Sequence, residues 1–146
     1  MFGRESYTRQ EFDQAKAAID QAVATYKRIA KAARAAPATT GDTALRTFEA
    51  TYFNDLTIVL DRHFVHRLRT VTGTDGTPIN EVEMLRDSLM NNGGVLRASS
   101  VITFIPERSV LKLRVGDPIR NTEEQFERLS SAFFAELKQK FLVGLL

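Results

Sequence analysis

Residues 8–37 read TRQEFDQAKAAIDQAVATYKRIAKAARAAP. Thr8 can cap a helix while Glu11 reaches back across the same turn, the Ser/Thr-x-x-Glu capping box. From there Phe12, Ala15, Ile19, Ala22, Tyr26, Ile29, Ala33 and Ala36 recur at alternating spacings of three and four, a heptad seam that Pro37 ends. The pattern predicts a helix of about 28 residues, about 42 Å long at a rise of about 1.5 Å per residue. Alanine at alternate seam positions leaves little bulk, so a second helix can approach closely.

Residues 37–41 form a short linker of small residues, after which Asp42 or Thr43 can cap a second helix running to about Thr70. Leu45, Phe48, Tyr52, Leu56, Val59, Leu60 and His63 fall on one stripe of that helix, and Phe53 and Phe64 widen it. A connection this short predicts a long antiparallel two-helix hairpin. The basic end of the second helix, Arg62, Arg67 and Arg69, would then lie near the acidic start of the first, Glu5, Glu11 and Asp13. Helix dipoles alone favour the same distribution.

Farther along, residues 73–77 form a turn cluster, and Thr77-Pro78 starts a short third helix with Ile79, Val82, Leu85 and Leu89 on its apolar face. Asn and Gly at 91–94 stop it. Residues 101–105 are β-branched and aromatic, and residues 110–115 alternate, with Leu111, Leu113 and Val115 on one side and Lys112 and Arg114 on the other. A small β-hairpin across residues 106–109 is the expectation for the stretch near 100–116, with an irregular segment or a short helix from Pro106 as the competitor. Asn121 or Thr122 caps a C-terminal helix whose buried stripe is Phe126, Leu129, Phe133, Leu137 and Phe141, with Phe134 beside it. The apolar chain end at 141–146 is expected to pack on its own domain or on a second subunit.

The expected fold is therefore mainly α, in one helical domain spanning residues 1–146. Two helices of about 42 Å exceed the roughly 38 Å diameter of a sphere of this chain length. An elongated molecule follows, and a homodimer completing a four-helix bundle would cover the exposed part of the seam.

The stretch from Val110 through Glu136, together with Asp61 to Arg69 upstream, resembles a group of small bacterial proteins of actinobacterial type to which no activity is assigned. The resemblance covers about two thirds of the chain. It implies a shared origin and fold, and it transfers no site.

Composition removes several chemistries. Without cysteine there is no thiolate nucleophile, disulfide framework, cysteine-held zinc or conventional iron–sulfur cluster. The formal charge is only +2 despite a pI near 9.1, because almost nothing titrates between the carboxylates and the lysines. Residues 1–36 hold seven basic and four acidic groups, so the surplus sits in the first helix. The charged start lacks the core of a signal peptide, and no stretch approaches the roughly 20 apolar residues of a membrane span. A cytoplasmic protein without membrane contact is expected.

His63 and His66 stand one turn apart and share a helical face, which two metal ligands would need, but Glu-x-x-His and His-Glu-x-x-His are both absent. No metal or cofactor is expected, and His63 reads as a core histidine bonded across the helix interface. Arg62, His66 and Arg69 follow i, i+4, i+7 spacing with Arg67 nearby, a cationic face able to hold phosphate or carboxylate. The plainer reading pairs these arginines with the acids of the first helix. Lys27, Lys31 and Arg34 form a second basic stripe beside Arg28. It lacks the interleaved aromatics of a single-strand binder, so it reads as a solvated face and argues against nucleic acid. No serine lies in Gly-x-Ser-x-Gly, and no phosphate-cradling glycine loop occurs. A non-enzymatic module that self-associates or binds a protein partner through helix faces is the first functional expectation. A ligand-binding or enzymatic bundle with a pocket at His63, His66, Arg62, Arg67 and Arg69 is the alternative.

Overall fold

The computed structural model describes residues 3–35 and 41–142. Among them the chain is mainly helical: α1 (Arg9–Ala35), α2 (Gly41–Arg62), the single turn α3 (Arg69–Thr72), α4 (Pro78–Asn91) and α5 (Glu123–Phe141), with a 3-10 turn at Pro106–Arg108. The expected end of the first helix at Ala36 and Pro37, most of the linker, and residues 143–146 lie outside the described residues.

The capping box at the start of α1 forms as its sequence predicts: Glu11 N–H donates to Thr8 Oγ1 and Thr8 N–H donates to Glu11 Oε1, both at 3.0 Å. The buried track differs from a heptad seam. Phe12, Ala15, Ile19, Val23, Tyr26 and Ala30 are buried, whereas Ile29 is 47% exposed and Ala33 is exposed. An α-helix turns every 3.6 residues, so without supercoiling a seven-residue repeat drifts off the contact line by about 20° per heptad. From Ile19 onward the drift moves the contact onto Val23, one turn on, and Ala30, three turns on.

The second helix begins at Gly41, which puts Asp42 and Thr43 inside it rather than at its cap, and it stops at Arg62 instead of continuing to Thr70. Residues 63–66 form a turn in which His66 takes a positive φ of +62°. Residues 4–7 hold that turn open: Arg4 N–H donates to the His66 carbonyl, Leu68 N–H donates to the Arg4 carbonyl, and the Tyr7 hydroxyl donates to the Val65 carbonyl. Leu68 is extended and starts α3, which Gly73 ends at a φ of +71°.

Thr77 is extended and Pro78 is the first residue of α4, while the Asn80 side chain accepts from the amides of Gly76 and Thr77. Gly76 combines a φ of +78° with a close approach to Thr103, whose carbonyl oxygen would lie 2.4 Å from an added Cβ. Only glycine fits there. Thr122, not Asn121, caps α5, with Gln125 completing the box. The stripe Phe126, Leu129, Phe133, Leu137, Phe141 is fully buried, and Phe134 is buried beside it. Rings link α5 to the rest of the core, with Phe126 on Phe53, Phe133 and Phe134 on Phe64, and Phe141 on Tyr7.

The expected β-hairpin does not form, and there is no strand among the described residues. Only isolated bridges occur, one of them between Val95 and Pro118. The amides of Val110 and Leu111, which strand pairing would need, donate instead to the two carboxylate oxygens of Glu81 on α4, at 2.8 and 3.0 Å. Ser109 Oγ accepts from Lys112 N–H, and Lys112 sits at a φ of +57°. Val115 is 54% exposed, so the alternating row never assembles one apolar sheet face.

Candidate functional site

The early end of α2 creates a cleft. α2 finishes, the chain turns through residues 63–66, and α4 passes alongside, leaving a cavity of about 470 Å3 between them. Arg62, His66, Arg67 and Arg69 line it, together with Asp61 from α2 and Glu83 and Arg86 from α4. Ile58, Phe64, Val65 and Met90 supply an apolar wall. Four of the five residues that the sequence offered as ligand-binding thus converge on one space. His63 does not line it.

Asp61 organises the floor. Its side chain is 9% exposed, and Arg67, 7% exposed, donates to Oδ1 at 2.5 Å, while Arg86 Nε donates to Oδ2 at 3.0 Å. Arg67 also donates to the carbonyls of Asp61 and Phe64, at 3.2 and 2.9 Å. One guanidinium therefore satisfies carbonyls freed at the end of α2 and neutralises the aspartate beneath them. Its Nε–H is buried and has no acceptor among the described residues. Arg69 donates to Glu83 at 2.6 Å.

These pairings replace the expected ones. The arginines after Asp61 do not pair with acids of the first helix, because Glu11 is held by Arg4 at 2.7 and 2.8 Å and Asp13 pairs with Arg9. Hydrogen bonds from Arg4 hold the Glu11 carboxyl down at about 2. His63 is exposed rather than in the core, since α2 ends just before it. Both histidines lie past the helix end, in the turn at residues 63–66 rather than on one helical face, and among the described residues no three His, Asp or Glu side chains converge as a metal-holding group. Lys27 of the second basic stripe pairs with Glu127 and Glu123, while Lys31 and Arg34 are exposed.

Sequence reasoning missed Asp61 and Arg86 and did not place Glu83 beside the arginines. The available signal was weak: Glu83 and Arg86 lie three apart and so share one side of α4. Two buried carboxylates act structurally. Burial pushes the Glu81 carboxyl up from its ordinary range against the pull of its two backbone donors. Glu136 accepts from Ile79 N–H at 2.9 Å, in the N-terminal turn of α4, and from Lys140 Nζ at 2.6 Å. Glu81 and Glu83, two apart, face different neighbours, as their spacing requires.

A second feature lies along the paired helices. On α1, Ala18, Ala22, Thr25 and Ile29 follow i, i+4, i+7, i+11 spacing, and on α2, Phe48, Tyr52, Asp55 and Val59 repeat the same steps. All eight are exposed or half-buried. The Tyr52 hydroxyl donates to the Ala22 carbonyl at 2.9 Å, which sets the two rows side by side. Among the described residues no helix is long and apolar enough to cross a membrane. Comparison of the chain with protein-family models, with curated proteins and with solved structures finds no match.

Proposed function

We propose that this protein is a non-enzymatic helical module that self-associates, a second copy docking on the outer face of α1 and α2. In this reading α1 and α2 run antiparallel as a long hairpin. Ring contacts between Tyr26 and Phe48 and between Tyr7 and Phe64, at opposite ends of the pair, support that. Two such hairpins related by a two-fold axis make a four-helix arrangement.

The observation that carries the proposal is the composition of the two adjoining rows. Asp55 is the only carboxylate and there is no basic residue among the eight positions, in a chain of which 26% is charged. Ile29, Phe48 and Val59 are 47, 40 and 42% exposed along it. Apolar surface left in water forgoes about 25 cal/mol for each Å2 that an interface would cover. Ala18 and Ala22 keep the α1 row low, which suits the helix separations of about 8–10 Å at which helices pack. A cytoplasmic location and an actinobacterial origin belong to the same reading and rest on the sequence alone.

Sedimentation equilibrium at tens of micromolar should return a dimer, and replacing both Phe48 and Val59 by Glu should return a folded monomer. A wild-type monomer at that concentration would overturn the proposal.

A further inference from the structure

The cleft at the end of α2 is charged in a way that its internal ion pairs leave incomplete. Among the residues lining the cavity, Arg62, Arg67, Arg69 and Arg86 outnumber the carboxylates Asp61 and Glu83 by two, and Asp87, which also lies near Arg86, is outside the lining and held by Arg97. The surplus has a location. Arg86 reaches Asp61 through Nε, and neither of its terminal nitrogens has an acceptor among the described residues. Arg62 is exposed on the rim and makes no ion pair or side-chain hydrogen bond among the described residues. Arg67, pinned beneath them, keeps its buried Nε–H without a partner.

An arginine held at Nε presents its two terminal nitrogens as a fork, the shape that receives two oxygens of a phosphoryl or carboxylate group. The Asp61 carboxylate fixes that fork in advance, so little side-chain freedom is lost when an anion arrives. Two uncompensated charges match a dianion better than a monoanion. The space is also far larger than a bare phosphate needs, and its other wall is Ile58, Phe64, Val65 and Met90, of which Met90 is 60% exposed. Pockets of a few hundred Å3 with an apolar wall and a few convergent polar groups suit small organic ligands.

We infer that this cleft binds a small organic phosphate monoester, its phosphoryl group held by Arg86 and Arg62 and its apolar body against Val65 and Met90. The inference is independent of self-association, because none of the eight positions on the outer face of α1 and α2 lines the cleft.

Calorimetric titration with phenyl phosphate, inorganic phosphate and phenol tests it. Phenyl phosphate should bind, inorganic phosphate should bind at least about tenfold more weakly, and phenol should not bind at all. Arg62→Ala should weaken phenyl phosphate about tenfold or more, the loss expected of one charge-assisted contact, while Lys31→Ala changes nothing. Arg86→Lys keeps the charge but removes the fork and should weaken it similarly, with circular dichroism and thermal unfolding showing that each variant remains folded. Amide shifts on titration should centre on residues 62–67 and 86–90. Absence of phenyl phosphate binding at millimolar concentration, equal affinity for inorganic phosphate, or affinity indifferent to both arginine substitutions would each overturn the inference.

Discussion

α5 and the segment between α4 and α5 are held by opposite means. α5 contributes five apolar side chains at helical spacing to a core of linked rings. The segment at residues 92–122 makes one 3-10 turn and no strand, and polar side chains bonded to backbone amides fix it: Glu81 on Val110 and Leu111, Ser99 on Val101 and Ile102, Asp117 on Arg114. Burial in α5 is spread over many contacts with no required direction, so periodicity announces it. Order in the irregular segment depends on a few directional bonds, several of them made to residues far away in the sequence.

Substitutions can break this contrast. Phe133→Ala should be the most damaging, costing about 3–5 kcal/mol by urea denaturation, because the site is completely buried and walled by rings that cannot collapse into the void. Glu81→Ala should cost about 1–3 kcal/mol and act locally, freeing the amides of Val110 and Leu111 to exchange with solvent while α5 amides stay protected. Equal loss of protection in both regions would show that they unfold as one unit.

The smallest effect concerns pH. Glu11 titrates near 2 in the folded chain against about 4.5 ordinarily, so its stabilisation is complete above the ordinary value and is lost as pH falls toward 2. Glu81 titrates above its ordinary value, so its contribution runs the other way and declines as pH rises through the raised value. Glu11→Gln should flatten the acid limb of a stability–pH curve by less than about 1 kcal/mol, since the Arg4–Glu11 pair is about 40% exposed. Glu81→Gln should flatten the opposite limb.

What was legible in the sequence follows the same division. The capping box of α1, the cap of α5 at one of its two candidates, the proline start of α4 and the α5 stripe are local patterns, and each is present. The end of α2 was hidden because residues 61–70 contain neither Gly nor Pro and favour helix as well as their neighbours do. The break comes from Arg67 folding back on Asp61 and from residues 4–7, some sixty positions away. Four cleft residues could be named in advance because they cluster along the chain. Arg86 could not, because α4 brings it alongside Asp61 from 25 positions away.

Tyr7 N–H donates to the Phe141 carbonyl at 2.9 Å, and its ring lies against Phe64 and Phe141. The contact that helps shape the α2 turn therefore joins two places 134 residues apart. A ribosome delivers the chain from its N-terminus, so Tyr7 can meet the turn at residues 63–66 early but lacks Phe141 until α5 has emerged. The packing that anchors Tyr7 is accordingly completed only after α5 has been made, and a nascent chain lacking α5 would leave Tyr7 and Phe64 partly uncovered and open to chaperones.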